Sequence, residues 1–589
     1  MKGIAFILVI FQASMLMAAG PQDAVVDITA HISVDAQGRA VRRIRITRTM
    51  KTAWAVDKLS DPKIRFDATR QDLKIITART ITADNRIIPA RKVAQNLSTL
   101  PELAKAPELA LHREMVVTML GIEIGCKTIL EYEIRDRKPL PFGRVWRFAT
   151  PLHQYIHSFK VTVESKIPVN RVMLNTWPGT RPITRNNGKL TMTWSDQGPF
   201  NKNNAPILVI YRSDGLDRAM RGIGIPKGGC PILDSIIAKA LKKQGTARFA
   251  AVLKSIKSAI RVLPLAKDLF AEVPQGVCDV LKRGYATPLE AAMVLKKAMN
   301  DAGFQAGLEF YGPKIQPTRA QTLWAMTTAA VKVAGVTDGD ILVRLPDFVL
   351  SDESIALSGR NYLILKKNPH VAMGPAIGCN RGLTRKVIAD LRIHANGGYA
   401  GFLNIELRHN VPGFMSVAKD PKAWAKSVAD KILPKSRVMR YRVLHLSSGL
   451  VSVSIRVTGK LGISGREALL ALPQVAKPFE SVLSDLTGPF RKDGLMCNSV
   501  DFRLTLPKAW KAVTPVDAIA DACKSGKFRY KTSLKGRVLH IKSSFNMTAS
   551  YLDHTQIGPL QHIVRTSMAP ALWRVLLISP KDMSTKKVD

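Results

Sequence analysis

Along the first third of the chain, apolar and polar residues alternate. In VRRIRITR (41–48), Ile44 and Ile46 fall on one face of a strand and Arg43, Arg45 and Thr47 on the other. LKIITARTITADNRII (73–88) reads as strand, turn, strand, with Ala83, Asp84 and Asn85 in the turn. KTILEYEIRDR and FKVTVESKIPV alternate again, and the proline-bearing stretch from Leu100 to Pro107 reads as a loop. Many short strands with turn signals predict a β-sandwich over 20–212. Near Asp234 the period becomes helical. DSIIAKALKKQ and RFAAVLKSIKSAIRVL space apolar residues by three and four. TPLEAAMVLKKAMNDAGF carries the strongest helix signals. Thr287 is an N-cap, Pro288 suits the first helical position, Glu290 completes a capping box, and Gly303 closes the helix. AGLEFYG, TTAAVKVAGV and DILVRLP then read as strands. From 375 to 589 the pattern is β-rich again. ADLRIHANGGYAGFLNIELRH predicts a hairpin turning at Asn396–Gly397, VSVSIRV and DFRLTLP predict strands, and PKAWAKSVADKIL a helix. No period of 20–50 residues marks a solenoid.

Length and hydrophobic content place these segments in ordinary globular domains, but charge does not. The chain has 589 residues and 46% hydrophobic residues, with 88 Lys and Arg against 45 Asp and Glu, a formal charge of +43. The bases are spread along the chain. Such a field attracts anionic partners, or it reflects a basic proteome or an acidic habitat. The clusters Arg42, Arg43, Arg45, Arg48 and Lys586, Lys587 are not interleaved with aromatics, so they read as solvated faces rather than a nucleic-acid site.

The first nineteen residues read as a secretory signal peptide. Lys2 supplies a basic start, Ile4 to Phe11 an apolar run, and Ala18, Ala19 and Gly20 small residues for cleavage after Ala19. An uncleaved anchor is the alternative. No later stretch is apolar enough for a spanning helix. Export permits disulfides among the six cysteines. Cys497–Cys523 is the first pairing expected and Cys230–Cys278 the second, since each closes a loop within one domain.

IRFDATRQDLKIITARTITADNRIIPA, REMVVTMLGIEIGCKTILEYEIRDRKPL and RGYATPLEAAMVLKKAMNDAGFQAGLEFYG carry a resemblance, extended by the hairpin at 389–409 and by YLDHTQIGPLQHIVRTSMAPALWRVLLI. Together they resemble an exported bacterial family. In it a β-sandwich of unknown function (20–212) precedes an α+β, papain-like transglutaminase-like domain (213–374) and a β-rich C-terminal domain (375–589). The resemblance implies a Cys, His and Asp triad, with the Cys at the start of a helix, where dipole and imidazole lower its pKa. The Cys slot falls at Ala286 or Thr287, the His slot near Thr328 and the Asp slot near Arg344. No histidine lies between Ser158 and Pro369. A transglutaminase-like fold that has lost its reaction is the expectation, acting as a binding or assembly module at the cell envelope. Its partner would be a protein, a peptidoglycan peptide or an anionic glycan, with no cofactor. The alternatives are a cysteine-dependent peptidase or acyl transferase with a relocated site, and a polyanion binder.

Three constellations remain. Cys278 lies two residues after a glycine and precedes an acid, but no histidine of its domain could activate it, which favours a structural or disulfide role over a nucleophile. Asp338, Asp340, Asp347, Asp352 and Glu353 could gather oxygen ligands for calcium, but the spacing is not that of an EF-hand loop, and Asp338–Gly339 reads as a turn. His153 and His157 are four apart, yet their segment reads as loop entering a strand, where they would not share a metal. No metal site is expected.

Overall fold

In the computed structural model, the described residues are 23–100, 112–139, 154–166, 229–263, 274–312, 328–336, 340–353, 383–475, 496–513, 518–549 and 554–580, with short strands and single positions between them. The first nineteen residues, expected to be a signal peptide, lie outside them. The molecule is multi-domain and mostly β-sheet.

The N-terminal region is built on the hairpin of β1 (Ala24–Val34) and β2 (Ala40–Met50). It continues with α1 (Ala53–Leu59), β3 (Gln71–Ile81), β4 (Lys127–Asp136), β5 (Gln154–Ser165) and β6 (Lys189–Gln197). The spatial order is β6-β5-β1-β2-β4-β3, flanked by two short strands, and β5 runs parallel to β1. A three-stranded sheet packs on it through Ile64 and Val117 against Leu130 and Ile134, which makes a sandwich. Alternation placed Ile44 and Ile46 as expected, but Arg42 and Arg48 share their face and are half-buried, leaving Arg43 and Arg45 as the exposed bases.

The middle region packs α2 (Pro231–Leu241), α3 (Gly245–Ala259), α4 (Val277–Arg283) and α5 (Pro288–Asp301) on an antiparallel sheet. From its centre to one edge the strands are β7 (Gln305–Gly312), β8 (Thr328–Ala334), β9 (Ile341–Arg344) and β10 (Val349–Asp352). α5 begins as its sequence dictates: the Thr287 hydroxyl accepts from the Glu290 amide, the Glu290 carboxylate accepts from the Thr287 amide, and Gly303 follows at φ 84°. Ten of its fourteen residues are buried, so this helix is the spine of the core.

The C-terminal region opens with the hairpin of β11 (Leu383–Ile393) and β12 (Gly398–Arg408). α6 (Val411–Lys419), α7 (Pro421–Ile432), β13 (Arg437–Leu446) and β14 (Leu450–Lys460) follow. β15 (Met496–Thr505), β16 (Gly526–Lys535), β17 (Val538–Met547) and α8 (His554–Met568) complete it. The order is β13-β14-β12-β11-β15-β17-β16, with β15 parallel to β11. Apolar residues of α6, α7 and α8 cover one face of this sheet, among them Phe414, Ala429 and Leu560 against Leu403, Ile455 and Phe545. Each such buried Leu or Phe contributes roughly 1.5–3 kcal/mol.

The two large sheets repeat one topology. β1, β2, β3, β4, β5 and β6 take the same neighbours and directions as β11, β12, β13, β14, β15 and β17, and helix follows the hairpin in both. The turns match bond for bond. Asp35 N–H donates to Arg39 O and Gly38 N–H to Asp35 O, while His394 N–H donates to Gly398 O and Gly397 N–H to His394 O. Gly38 and Gly397 hold φ 81° and 75° at the same place in the turn. Register then sets Val26 against Arg385, and Asp27 against Lys386.

Candidate functional site

The start of α5 is where the resemblance places a nucleophile. Ala286 is fully buried, and its methyl joins the apolar core of the middle region. Thr287 spends its hydroxyl on capping. Glu290, 4% exposed, is the hub of the locus. Its carboxylate accepts from the amides of Gln275 at 3.0 Å and Thr287 at 2.8 Å, and from the Arg283 guanidinium. Arg283 also donates to Tyr285 O at 2.8 Å and lies over the Tyr285 ring, 4.9 Å from its centre. A buried carboxylate is tolerable when it is hydrogen-bonded and paired in this way. The stretch expected to be a loop covers this place: Leu100, Leu103 and Ala106 are buried against Tyr285 and Leu263.

The remaining slots do not meet Ala286. Strand alternation turns Ala329, Val331 and Val333 of β8 and Ile341 and Val343 of β9 toward the helices. Thr328 and Arg344 therefore sit on strand positions of the opposite face, which corrects their placement as partners of the helix start. The strand residues that share the core with Ala286 are apolar, among them Ala329 and Val343, the neighbours of Thr328 and Arg344.

The opposite face gathers ionisable groups. Lys332 Nζ lies 2.8 Å from both Asp340 and Glu353. Burial draws its pKa down, but hydrogen bonds to these two acids outweigh it and hold the ammonium above its usual range. Glu309 is pushed up to about 7, by burial first and by the charge of Glu353 second. Its Oε2 is buried with no hydrogen-bond partner. Of the acids weighed as calcium ligands, Asp340 and Glu353 share Lys332, Asp352 faces His409 at 3.2 Å, Asp347 is exposed, and Asp338 lies outside the described residues. No group of three or more metal-ligating side chains occurs among the described residues. His157 lies on β5 with Nδ1 2.9 Å from Asp27, and His153 lies outside the described residues.

Cys230 and Cys278 form a disulfide, with Cα atoms 5.6 Å apart, tying the start of α2 to α4. The other expected pairing is wrong. Cys523 is a free thiol, whereas Cys497 is disulfide-bonded. Between the strands of Cys497 and Cys523 stand β17 and β16. Three strand spacings, about 14 Å, exceed the ~7 Å reach of a disulfide.

A cleft of about 490 Å³ opens on the C-terminal sheet. Register builds its floor. Arg408, Thr384, Cys497 and Asn546 form one row across four strands, and Glu406, Lys386, Ser499 and Ser544 the next row on the same face. This face is opposite the one that packs on the helices. Arg385 and Asn498 border the cleft along the same strands, but alternation puts them on the helix-packed side, where Asn498 donates to Val475 O at 2.8 Å. Sequence reasoning missed this site. Its signal is the polar alternate set of strands whose other set is core.

An antiparallel sheet backed by helices between two β-rich regions sharing one topology defines the class of fold. Residues 36–199 match the family described as a domain of unknown function with a solved structure (DUF3857). The chain superposes on the crystal structure of a protein from Parabacteroides distasonis ATCC 8503, described as a "putative protease". The TM-score is 0.63 and the identity 15%, over 95% of this chain and 100% of that one. That likeness shows the fold. An M1 zinc metallopeptidase from Deinococcus radiodurans matches with TM-score 0.19 and 13% identity, over 49% of this chain and 66% of that one. A CBM3a-L domain from Clostridium thermocellum matches with TM-score 0.14 and 9% identity, over 20% of this chain and 69% of that one. No argument rests on these two. No curated protein matches the chain. Among the described residues, no helix is long and apolar enough to cross a membrane.

Proposed function

We propose that this chain is an exported, non-catalytic protein with a transglutaminase-like middle domain, and that it binds a partner at the cell envelope. The observation that carries the reading is the Ala286–Thr287 locus. Where an acyl-transfer nucleophile would stand, the side chains are a buried methyl and a hydroxyl committed to the helix cap. The neighbouring carboxylate, Glu290, is committed to three donors. A nucleophile needs an adjacent base, and the strand residues sharing this core are apolar, Ala329 and Val343 among them.

A second reading, a cysteine peptidase with a relocated site, is raised by the description of the Parabacteroides protein. Against it, Cys278 is consumed in a disulfide. Cys126 is buried, and burial pushes its thiol pKa up, away from the thiolate that attacks. The test is an assay of purified protein for ammonia release from glutamine-containing peptides with an amine acceptor, and for peptide cleavage. No turnover above the buffer control is expected. Turnover abolished by a thiol alkylator would replace the first reading by the second.

A further inference from the structure

We propose that the open edge of the C-terminal sheet, the strand Ala518–Cys523, takes up an extended acidic peptide segment of a partner protein as a further strand. The inference rests on the reading of the chain as a binding module and names the chemistry of its partner.

Among the described residues this strand pairs with β16 on one side and with no strand on the other. A two-residue turn, Lys524–Ser525, joins the two strands, so Cys523 and Gly526, which flank it, occupy a hydrogen-bonded pair of the ladder. Alternation gives Asp521 and Ile519 the next such pairs with β16. It points the N–H and C=O of Ala518, Ala520 and Ala522 at the open edge. All three alanines are exposed. Such a row of main-chain donors and acceptors is a template for another strand.

The opposite edge of the same sheet is guarded. β13 is broken by two register shifts, at Val438/Arg440 and Val443/His445, and it exposes Arg437, Arg440 and Arg442. Bulges and edge charges both discourage pairing. Ala518–Cys523 pairs without a shift and contains no lysine, arginine or proline.

Charge selects the occupant. KSGKFRYKTSLKGR (524–537), the turn and strand beside this edge with the turn that follows, holds six Lys and Arg and no acid. Phe528 and Tyr530 enter the core, so Lys527, Arg529 and Lys531 stand exposed on the outer face. They lie directly across from Ala522, Ala520 and Ala518, and among the described residues none of the three is in an ion pair. They repeat every second residue, about 6.8 Å, which is the repeat of one face of any extended peptide. An added strand would lie two strand spacings from β16, roughly 10 Å, and the alanines between are too short to obstruct. A lysine or arginine reaching over an alanine can there meet a carboxylate. Acids at every second residue of the ligand therefore match the backbone and the charge together. A second copy of this edge would bring like charges together instead. A glycan or nucleic acid has no peptide backbone to fill the ladder, and the outer positions of the edge strand and β16 hold no aromatic to stack a base.

The experiment is titration of the purified full chain, read by fluorescence anisotropy, with a labelled, capped heptapeptide alternating Thr and Glu. The competitors are the Thr–Lys heptapeptide, the Thr–Glu heptapeptide N-methylated throughout, and trigalacturonate, which has as many carboxylates and no amides. The Thr–Glu peptide is expected to saturate one site and to bind about tenfold or more tighter than any competitor. Hydrogen exchange is expected to slow in 518–523 when it binds. Ala520→Pro removes an edge-facing N–H that makes no ladder bond, and is expected to weaken binding about tenfold. Joint replacement of the exposed Lys527, Arg529 and Lys531 by Ala is expected to weaken it by about as much and carries the test if Ala520→Pro misfolds. Arg437→Ala, on the guarded edge, is expected to change nothing. Absent saturable binding, equal affinity for the N-methylated peptide or for trigalacturonate, or equal loss in Arg437→Ala would overturn the proposal. Ammonia release measured on the same preparation separates the two readings: silence without binding removes only the peptide site, and turnover with binding removes only the non-catalytic module.

Discussion

The two large sheets share strand order, strand direction and a hairpin turn with the same hydrogen bonds, and they differ in what their faces carry. In the N-terminal sheet, Val26 is core and Asp27 is engaged by His157 and Ser158, the hydroxyl at 2.5 Å. In the C-terminal sheet, the same two positions are Arg385, half-buried on the helix-packed side, and Lys386, exposed on the cleft floor. Main-chain pairing fixes where residues meet, and side chains decide what the meeting place can bind. One architecture can thus hold an acid-centred contact at one end of the chain and a cation-centred one at the other.

The hairpins also differ in how tightly they pack, which gives the largest expected effect. A Cβ at Gly401 would run into the Asp390 carbonyl across the hairpin, whereas the corresponding N-terminal position carries the long side chain of Arg42. Gly401→Ala is expected to cost about 3 kcal/mol and to strip hydrogen-exchange protection from β11 and β12 while leaving β1 and β2 protected. Equal loss in both hairpins would dissolve the distinction. Next in size is Arg283→Ala, which strips the buried Glu290 carboxylate of the middle region of its ion pair. A loss of about 2–3 kcal/mol is expected by denaturant titration. An unchanged stability would show that the two backbone amides alone satisfy Glu290.

A third test sets the middle sheet against the other two. Acids of the large sheets are paired, as Glu131 with Arg43 and Asp501 with Lys542, but Glu309 Oε2 has no hydrogen-bond partner. Its folded pKa of about 7 exceeds the ordinary 4.5, so the native state holds its proton more tightly than the unfolded chain. Stability from this group is complete below about 4.5 and is lost as pH rises through 7. Glu309→Gln is expected to flatten that loss and to add on the order of 1.5 kcal/mol at pH 8, after discounting for partial solvent access. Denaturant titrations between pH 5 and 8 would show it, and parallel curves for the two proteins would refute it. The smallest effect probes what the large sheets share. Gly38→Ala and Gly397→Ala place a side chain at positive φ, each at about 1 kcal/mol. The second should cost more, because its methyl meets the Ile463 side chain.

Much of the local structure was legible in the chain. Thr287, Pro288, Glu290 and Gly303 marked α5 because caps act within one helical turn, and Asn396–Gly397 marked a turn because φ needs are local. The cleft was not legible. It joins positions from Thr384 to Asn546, brought side by side by a parallel pairing that no local pattern specifies. The repeat was hidden for a related reason: matching register leaves side chains free to diverge, as Val26 and Arg385 do. The triad slots at Thr328 and Arg344 missed the helix-facing side by one residue of strand, since a single step reverses the face. Cys497 and Cys523 are near in sequence but lie on strands separated by two others.

Assay of the purified chain for ammonia release from glutamine-containing peptides with an amine acceptor, and for peptide cleavage, is the most direct test. The account predicts no turnover above the buffer control. Turnover that a thiol alkylator abolishes would contradict it.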